Sequence, residues 1–478
     1  IGALSGDAVT EGINNIAVGR AALSADTLGN KSVAIGRNAL IVQNFTTATD
    51  SYNTAVGDQA GASVTTAQYN TLIGAEAGNA ISDTGGLNTC VGARAGHDIS
   101  TGGYNIAIGV DALSKEDGHS YNIAIGVDAL ENQNAGAHAY NVAVGYQAGH
   151  EVTSGIYNVL IGGRAGESLT DADLNVAVGQ GALTTDTKGS TTVAIGYGAL
   201  STQNFTTSTD SNNTAVGYEA GVSVTTGVEN TFIGGLAGDA LTDADYNTAI
   251  GFASLSTDTQ GSRTTAIGYG ALNNQNFSTA TDTYNTAVGF NAGTSVTTGT
   301  HNTIVGGLAG DALTTGTGNT ALGYGALSTE NTGNKNTAVG RSALSLADYN
   351  GDGNNVAVGY FAGVNITSGT DSVFIGATAG DALSTGIKNV AIGSAALSAE
   401  TSGSMSVALG FGALEAQNVG SGAVVANTAI GHNSGNDITS GTRNTFVGYA
   451  SGDGTDDGAQ CVAVGSEALS ANCGNNNT

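Results

Sequence analysis

The 478-residue chain has no proline and no tryptophan, one methionine and three cysteines. Collagen needs abundant proline with glycine at every third residue, so the missing proline excludes it. Cys90, Cys461 and Cys473 are few, odd in number and without metal-ligand spacing, so a disulfide framework is not expected to hold the chain. Charge is also scarce, at 11% of residues against about 25% in ordinary soluble domains. It is mostly of one sign: 12 basic residues against 39 acidic ones, a net charge of −27. Such a surface repels phosphate backbones and anionic bilayers, which disfavours nucleic acid and membranes as partners. No apolar run approaches the ~20 residues needed to span a bilayer. The chain opens at Ile1-Gly2 in mid-pattern, so any targeting segment is expected to lie outside it.

Glycine is what the sequence has most conspicuously, 76 residues, and 40% of the chain is hydrophobic, which argues against simple disorder. A motif of the form Asn-Thr-Ala-Val-Gly-x-x-Ala recurs 27 times, its glycine running from Gly2 through Gly217 to Gly465. Most spacings are 17 residues, with one of 18, two of 19 and four of 21. A second period lies over the first. The residue four after the motif glycine runs Leu, Leu, Gly, Gly, as in Leu183, Leu200, Gly221 and Gly238. The array then reads as one continuous repeat over 1–478. Residues 1–56 form a partial module and 57–144 a five-coil module. Four-coil modules follow at 145–216, 217–288, 289–358 and 359–430, and 431–478 is again partial.

A 17-residue unit with one short β-rich run is too small for a helical repeat and suits one coil of a parallel β-solenoid or β-roll. At about 4.8 Å per coil, 27 coils predict a rod of roughly 130 Å. The residue before each motif glycine is Val, Ile or Leu, and the one before that is Ala or larger, as in Leu72, Phe232 and Phe374. Neighbouring strand residues face opposite ways, so both strand faces are apolar. One face lines the coil; the other is expected to pack against further copies of the chain. A large residue two before the glycine tends to go with a small one after it, as in Phe232 with Gly235, which suggests close packing between these positions. Four before the glycine, Asn occupies 20 of 26 copies; stacked Asn forms amide ladders and also tolerates left-handed backbone. The motif glycine is read as a bend needing positive φ or close approach.

Ser32-Val-Ala-Ile-Gly36, Thr192-Val-Ala-Ile-Gly196 and Ser406-Val-Ala-Leu-Gly410 resemble the head repeats of YadA-like trimeric autotransporter adhesins. The Asn213 to Ala220 form is similar to repeats in phage tail fibres. The resemblance covers essentially the whole chain. It implies a left-handed β-roll intertwined as a homotrimer, extracellular, on a virion tail or a bacterial surface. The Val-Gly-x-x-Ala core also resembles the hexapeptide of left-handed β-helix acyltransferases, which need it about three times per coil rather than once.

The function this points to is the shaft of an extracellular fibre, self-associated as a trimer and open to joining end to end, that projects attachment elements. The alternative is an adhesin module whose long loops bind host glycans or receptors. Those loops, in the 21-residue coils, repeat Asn44-Phe45, Asn204-Phe205 and Asn276-Phe277, with a counterpart at Gln417 to Ser421. Each of the three asparagines also fits a glycosylation acceptor. Ice binding through runs such as Val64-Thr-Thr66 is a remote third reading, because the runs recur once per module rather than once per coil. One turn resembles the first half of a calcium loop, with oxygens at Asp348, Asn350 and Asp352 and Gly353 at the sixth position, but its twelfth residue is Gly359 where a bidentate Glu belongs. Catalysis is not expected: the six histidines are scattered over unrelated repeat positions and no helix follows the Gly-x-Gly fragments.

Overall fold

The computed structural model describes every residue except Ser421, Asn472 and Cys473. The chain is all-β, a parallel β-solenoid that divides into two compact units, Ile1–Asp243 and Ala244–Thr478. Each unit has 13 three-residue strands among its described residues, one per coil, and within a unit each strand pairs in parallel with the next. Thr214–Val216 shows the pattern: it pairs with Thr231–Ile233 in the register Thr214↔Thr231, Ala215↔Phe232, Val216↔Ile233. Strand residue falls on like residue because the spacing between coils is one repeat.

Alternation along each strand sets the layers. In every three-residue strand but the first, Ile16–Val18, the middle residue is buried in the coil while its neighbours point outward. The motif glycine then turns the chain with φ between 129° and 150°. Both expected reasons for glycine hold: a Cβ on Gly306 would also sit 2.6 Å from the Gly323 carbonyl oxygen of the next coil. Three further corners per coil lie in the left-handed region, many of them at non-glycine residues such as Gln59 at φ 57° and Leu200 at φ 48°. That conformation is costly for a branched side chain, and it is held because Leu200 is wholly buried.

The alternation of Leu and Gly four after the motif glycine is a matter of core volume. Where this position is Leu, as at Leu183 and Leu200, the middle strand residue is Ala177 or Ala194. Where it is Gly in two successive coils, the second coil carries a large strand residue that fills both gaps. The Phe232 ring lies where a Cβ on Gly221 would be, 2.7 Å away, and also abuts Gly238. Leu72 does the same over Gly61 and Gly78, at 2.7 and 2.6 Å. This corrects the expectation that Phe232 trades volume with Gly235: the strand residue is inside, whereas the position after the motif glycine is outside, as exposed Tyr218 shows.

The asparagine ladder is present and buried. Asn213 Oδ1 accepts the Asn230 backbone N–H at 2.9 Å, and Asn213 Nδ2 donates to the Gly227 carbonyl at 2.7 Å. Asn105 and Asn122 repeat the rung at 2.9 Å. Left-handed backbone falls not on these asparagines but on the residue before them, Tyr104 and Tyr121 among others. The Asn is instead selected as an amide that links two coils at once.

Candidate functional site

None of the 26 three-residue strands carries a charged residue. Their outward residues make two parallel rows, Thr/Val/Ile at the first position and Val/Ile/Leu at the third. The third row is part-exposed, with Ile195 at 36% and Ile233 at 39%. Beside it runs a row of aromatics following the motif glycine, stacked from coil to coil: Tyr197 on Tyr218 at 5.6 Å in the first unit, Phe252 on Tyr269 and Tyr269 on Phe290 in the second. Another row precedes the ladder asparagines, where Tyr104, Tyr121, Tyr140 and Tyr157 stack at 4.9–5.5 Å. Outside the interior, then, the strand rows are uncharged throughout, and aromatic residues stack beside them in short runs, on an otherwise acidic chain. In the second unit the first strand position is also threonine in six successive coils, from Thr248 to Thr337.

The long coils are knit to their neighbours. Gly189–Ser190 pairs with Thr209–Asp210 and Gly261–Ser262 with Thr281–Asp282. Below the loop sits a buried carboxylate: Asp186 accepts from the N–H groups of Gly189 and Phe205 at 3.0 Å and from Gln203 Nε2 at 2.6 Å. Asp26 and Asp258 repeat the arrangement with Gln43 and Gln275. Phe45, Phe205 and Phe277 are buried over this cluster, so the loop surface is made by polar residues. Asn44 and Asn276 are exposed, and Asn204 partly so; the Oδ1 of each accepts a threonine hydroxyl of the preceding coil, from Thr27, Thr259 and Thr187 respectively. In the fourth such loop Gln417 binds Glu400 at 3.0 Å; Ser421 lies outside the described residues.

In the calcium-like turn Asp348, Asn350 and Asp352 are exposed, while Tyr349 between them is buried. Asp352 is ion-paired with Lys335 at 2.5 Å, and that ammonium holds its carboxyl below the usual range. A cation there has to displace Lys335. Among the described residues no three His, Cys, Asp or Glu side chains are grouped as for a metal. The histidines have local partners: His119 bonds Glu116 at 2.7 Å, and His432 stacks between Phe411 and Tyr449. Cys90 is a core strand residue whose thiol burial pushes up to about 12, Cys461 takes a ladder position, and Cys473 lies outside the described residues. No helix is long and apolar enough to cross a membrane among the described residues.

No protein-family model matches the chain, and no curated protein sequence matches it.

Proposed function

We propose that the chain is the shaft of a homotrimeric extracellular fibre, on a phage tail or a bacterial surface, that holds attachment elements away from the body carrying it. The observation that supports this most is the uncharged strand face. Copies of a chain with net charge −27 repel one another over most of their surface. They can approach closely only where charge is absent, and in each unit the two strand rows offer such a strip for 13 coils, roughly 60 Å at strand spacing. A long uncharged strip that carries a part-exposed row of Val, Ile and Leu favours an interaction site. The repeat gives every coil outward residues of the same kind, so a copy laid alongside meets a similar surface at every level, as closed symmetric assembly requires.

Light scattering on a size-exclusion column tests the reading. The expected mass is about 140 kDa, three times the 46.7 kDa chain, eluting early for that mass. A monomer of 46.7 kDa at every concentration would overturn it.

A further inference from the structure

The second residue after the motif glycine sits at a left-handed corner and carries a side chain in most coils, for instance Gln59, Asp111, Gln147 or Asn291. At Gly181 and Gly198 it is glycine in two consecutive coils, which happens nowhere else in the array. The corner itself is unchanged: both glycines have φ near 65°, and their N–H groups donate at 3.0 Å to Gly163 and Gln180. What is lost is a wall. A Cβ on Gly181 would meet only the Thr184 hydroxyl, at 3.4 Å, and one on Gly198 only Glu219 Cγ, at 3.4 Å. The result is an open trough of about 430 Å³, within the range of small-ligand sites and lying wholly in the first unit.

Its lining is chemically mixed and ordered. Along one side stand Gln180 and Tyr197, along the other Thr184 and Ser201, and the ends are closed by Arg164 and Glu219. Tyr197 has one ring face covered by Tyr218, stacked at 5.6 Å with 9° between planes. On the side of the preceding coil it has no aromatic neighbour, because the row there carries Gln180 and before it Gly163, and Tyr197 is 52% exposed. The break leaves a half-exposed ring beside an arginine, an amide, a carboxylate and hydroxyls.

We propose that this trough binds a short neutral oligosaccharide. A pyranose has an apolar C–H face, which suits an exposed aromatic ring, and a rim of hydroxyls that both donate and accept. Arg164, paired with Glu167 at 3.6 Å, and Gln180 supply donors, Glu219 and Thr184 supply acceptors, since the Thr184 hydroxyl already donates to the Gly181 carbonyl, and Ser201 supplies a group of either kind. An apolar peptide would bury these without partners, at a cost in affinity. An anionic glycan meets the field of a strongly acidic chain and a carboxylate at one end, whereas a neutral one does not. The proposal goes beyond the shaft reading and does not depend on it. It also places recognition away from the long loops, whose phenylalanines are buried.

The test is binding of the labelled full chain to a printed array of neutral, sialylated, sulfated and uronate-containing oligosaccharides. Solution titration of the best neutral ligand then follows. Retention of neutral glycans is expected. The blocking variant is G181Q/G198Q, which refills the trough with a residue that Gln59 and Gln147 show the corner accepts. It should lose at least tenfold in affinity, as should Y197A, while melting temperature and solution mass stay at wild-type values. No retained glycan, retention of acidic glycans alone, or equal binding by G181Q/G198Q would each overturn the site. A change in solution mass bears on the shaft and not on the trough.

Discussion

A carboxylate oxygen that meets no donor in the folded chain is a stability term that depends on pH. The Oδ1 atoms of Asp239, Asp311 and Asp381, one residue past the glycines that receive the large strand side chains, are buried without a partner. Burial raises all three carboxyls, Asp239 to about 6. Each folded pKa is above the ordinary one, so the protonated form favours folding; that contribution is full below about pH 4 and is lost as pH rises through the folded pKa, about 6 for Asp239. Thermal melting of D239N/D311N/D381N should therefore match wild type near pH 4 and exceed it at pH 7. Equal melting of the two at pH 7 would show that water already satisfies these oxygens. A second residue-scale prediction concerns calcium. If the Asp348, Asn350 and Asp352 turn takes the ion, K335A must bind it more tightly than wild type, because the lysine occupies Asp352. Calorimetric titration with millimolar calcium that gives no heat for either form removes the site. At this scale the sequence was a partial guide. The motif glycine and the ladder asparagine are both chemically singular, so their roles could be read. The left-handed corners could not, since Tyr104, Leu200 and Arg263 have no side-chain preference for that conformation. Nor could the inward turn of Phe205, which follows from the carboxylate of Asp186 drawing its N–H inward.

Within a coil, the strand and the corner after it form a unit of constant volume. Ala is joined to Leu, and a large residue to a pair of glycines. Phe232→Ala should leave a cavity between Gly221 and Gly238 and cost about 3–5 kcal/mol. G238L alone should cost about 1–3 kcal/mol by overpacking against the same ring. Combined, F232A/G238L recreates the Ala–Leu coil, whose corner accepts Leu at the same backbone angle, as Leu200 does. The double variant should be more stable than either single one, a coupling visible in chemical denaturation. Additive losses would mean that the two positions do not share one space. The Leu, Leu, Gly, Gly period was plain from sequence, and its cause was not. The eye compares a strand residue with its nearest neighbours along the chain, whereas Phe232 fills space six residues ahead and, in the preceding coil, eleven behind. The coil length and parallel pairing were legible because one motif per 17 residues admits few other arrangements.

For the whole molecule the decisive question is whether the strand face is covered by copies of the chain. Its residues were readable as apolar on both sides, but only the structure separates the interior row from the part-exposed one, because alternation fixes that the rows differ and not which is inside. Ile161, Ile195 and Ile233 belong to the outward row, at 36–39% exposure, and to strands of the same unit. Changing all three to Glu places acidic groups where like-charged copies would meet, while leaving the buried middle residues Leu160, Ala194 and Phe232 untouched. If the face holds the trimer, I161E/I195E/I233E should show a mass falling from about 140 kDa toward the 46.7 kDa of one chain, with its far-ultraviolet circular dichroism retained. The effect should weaken at high salt, since repulsion among part-exposed charges is screened within about 8–10 Å at ordinary ionic strength. A trimer that survives all three carboxylates at low salt is held elsewhere, and the tyrosine row from Tyr104 to Tyr157 would then be the next surface to charge.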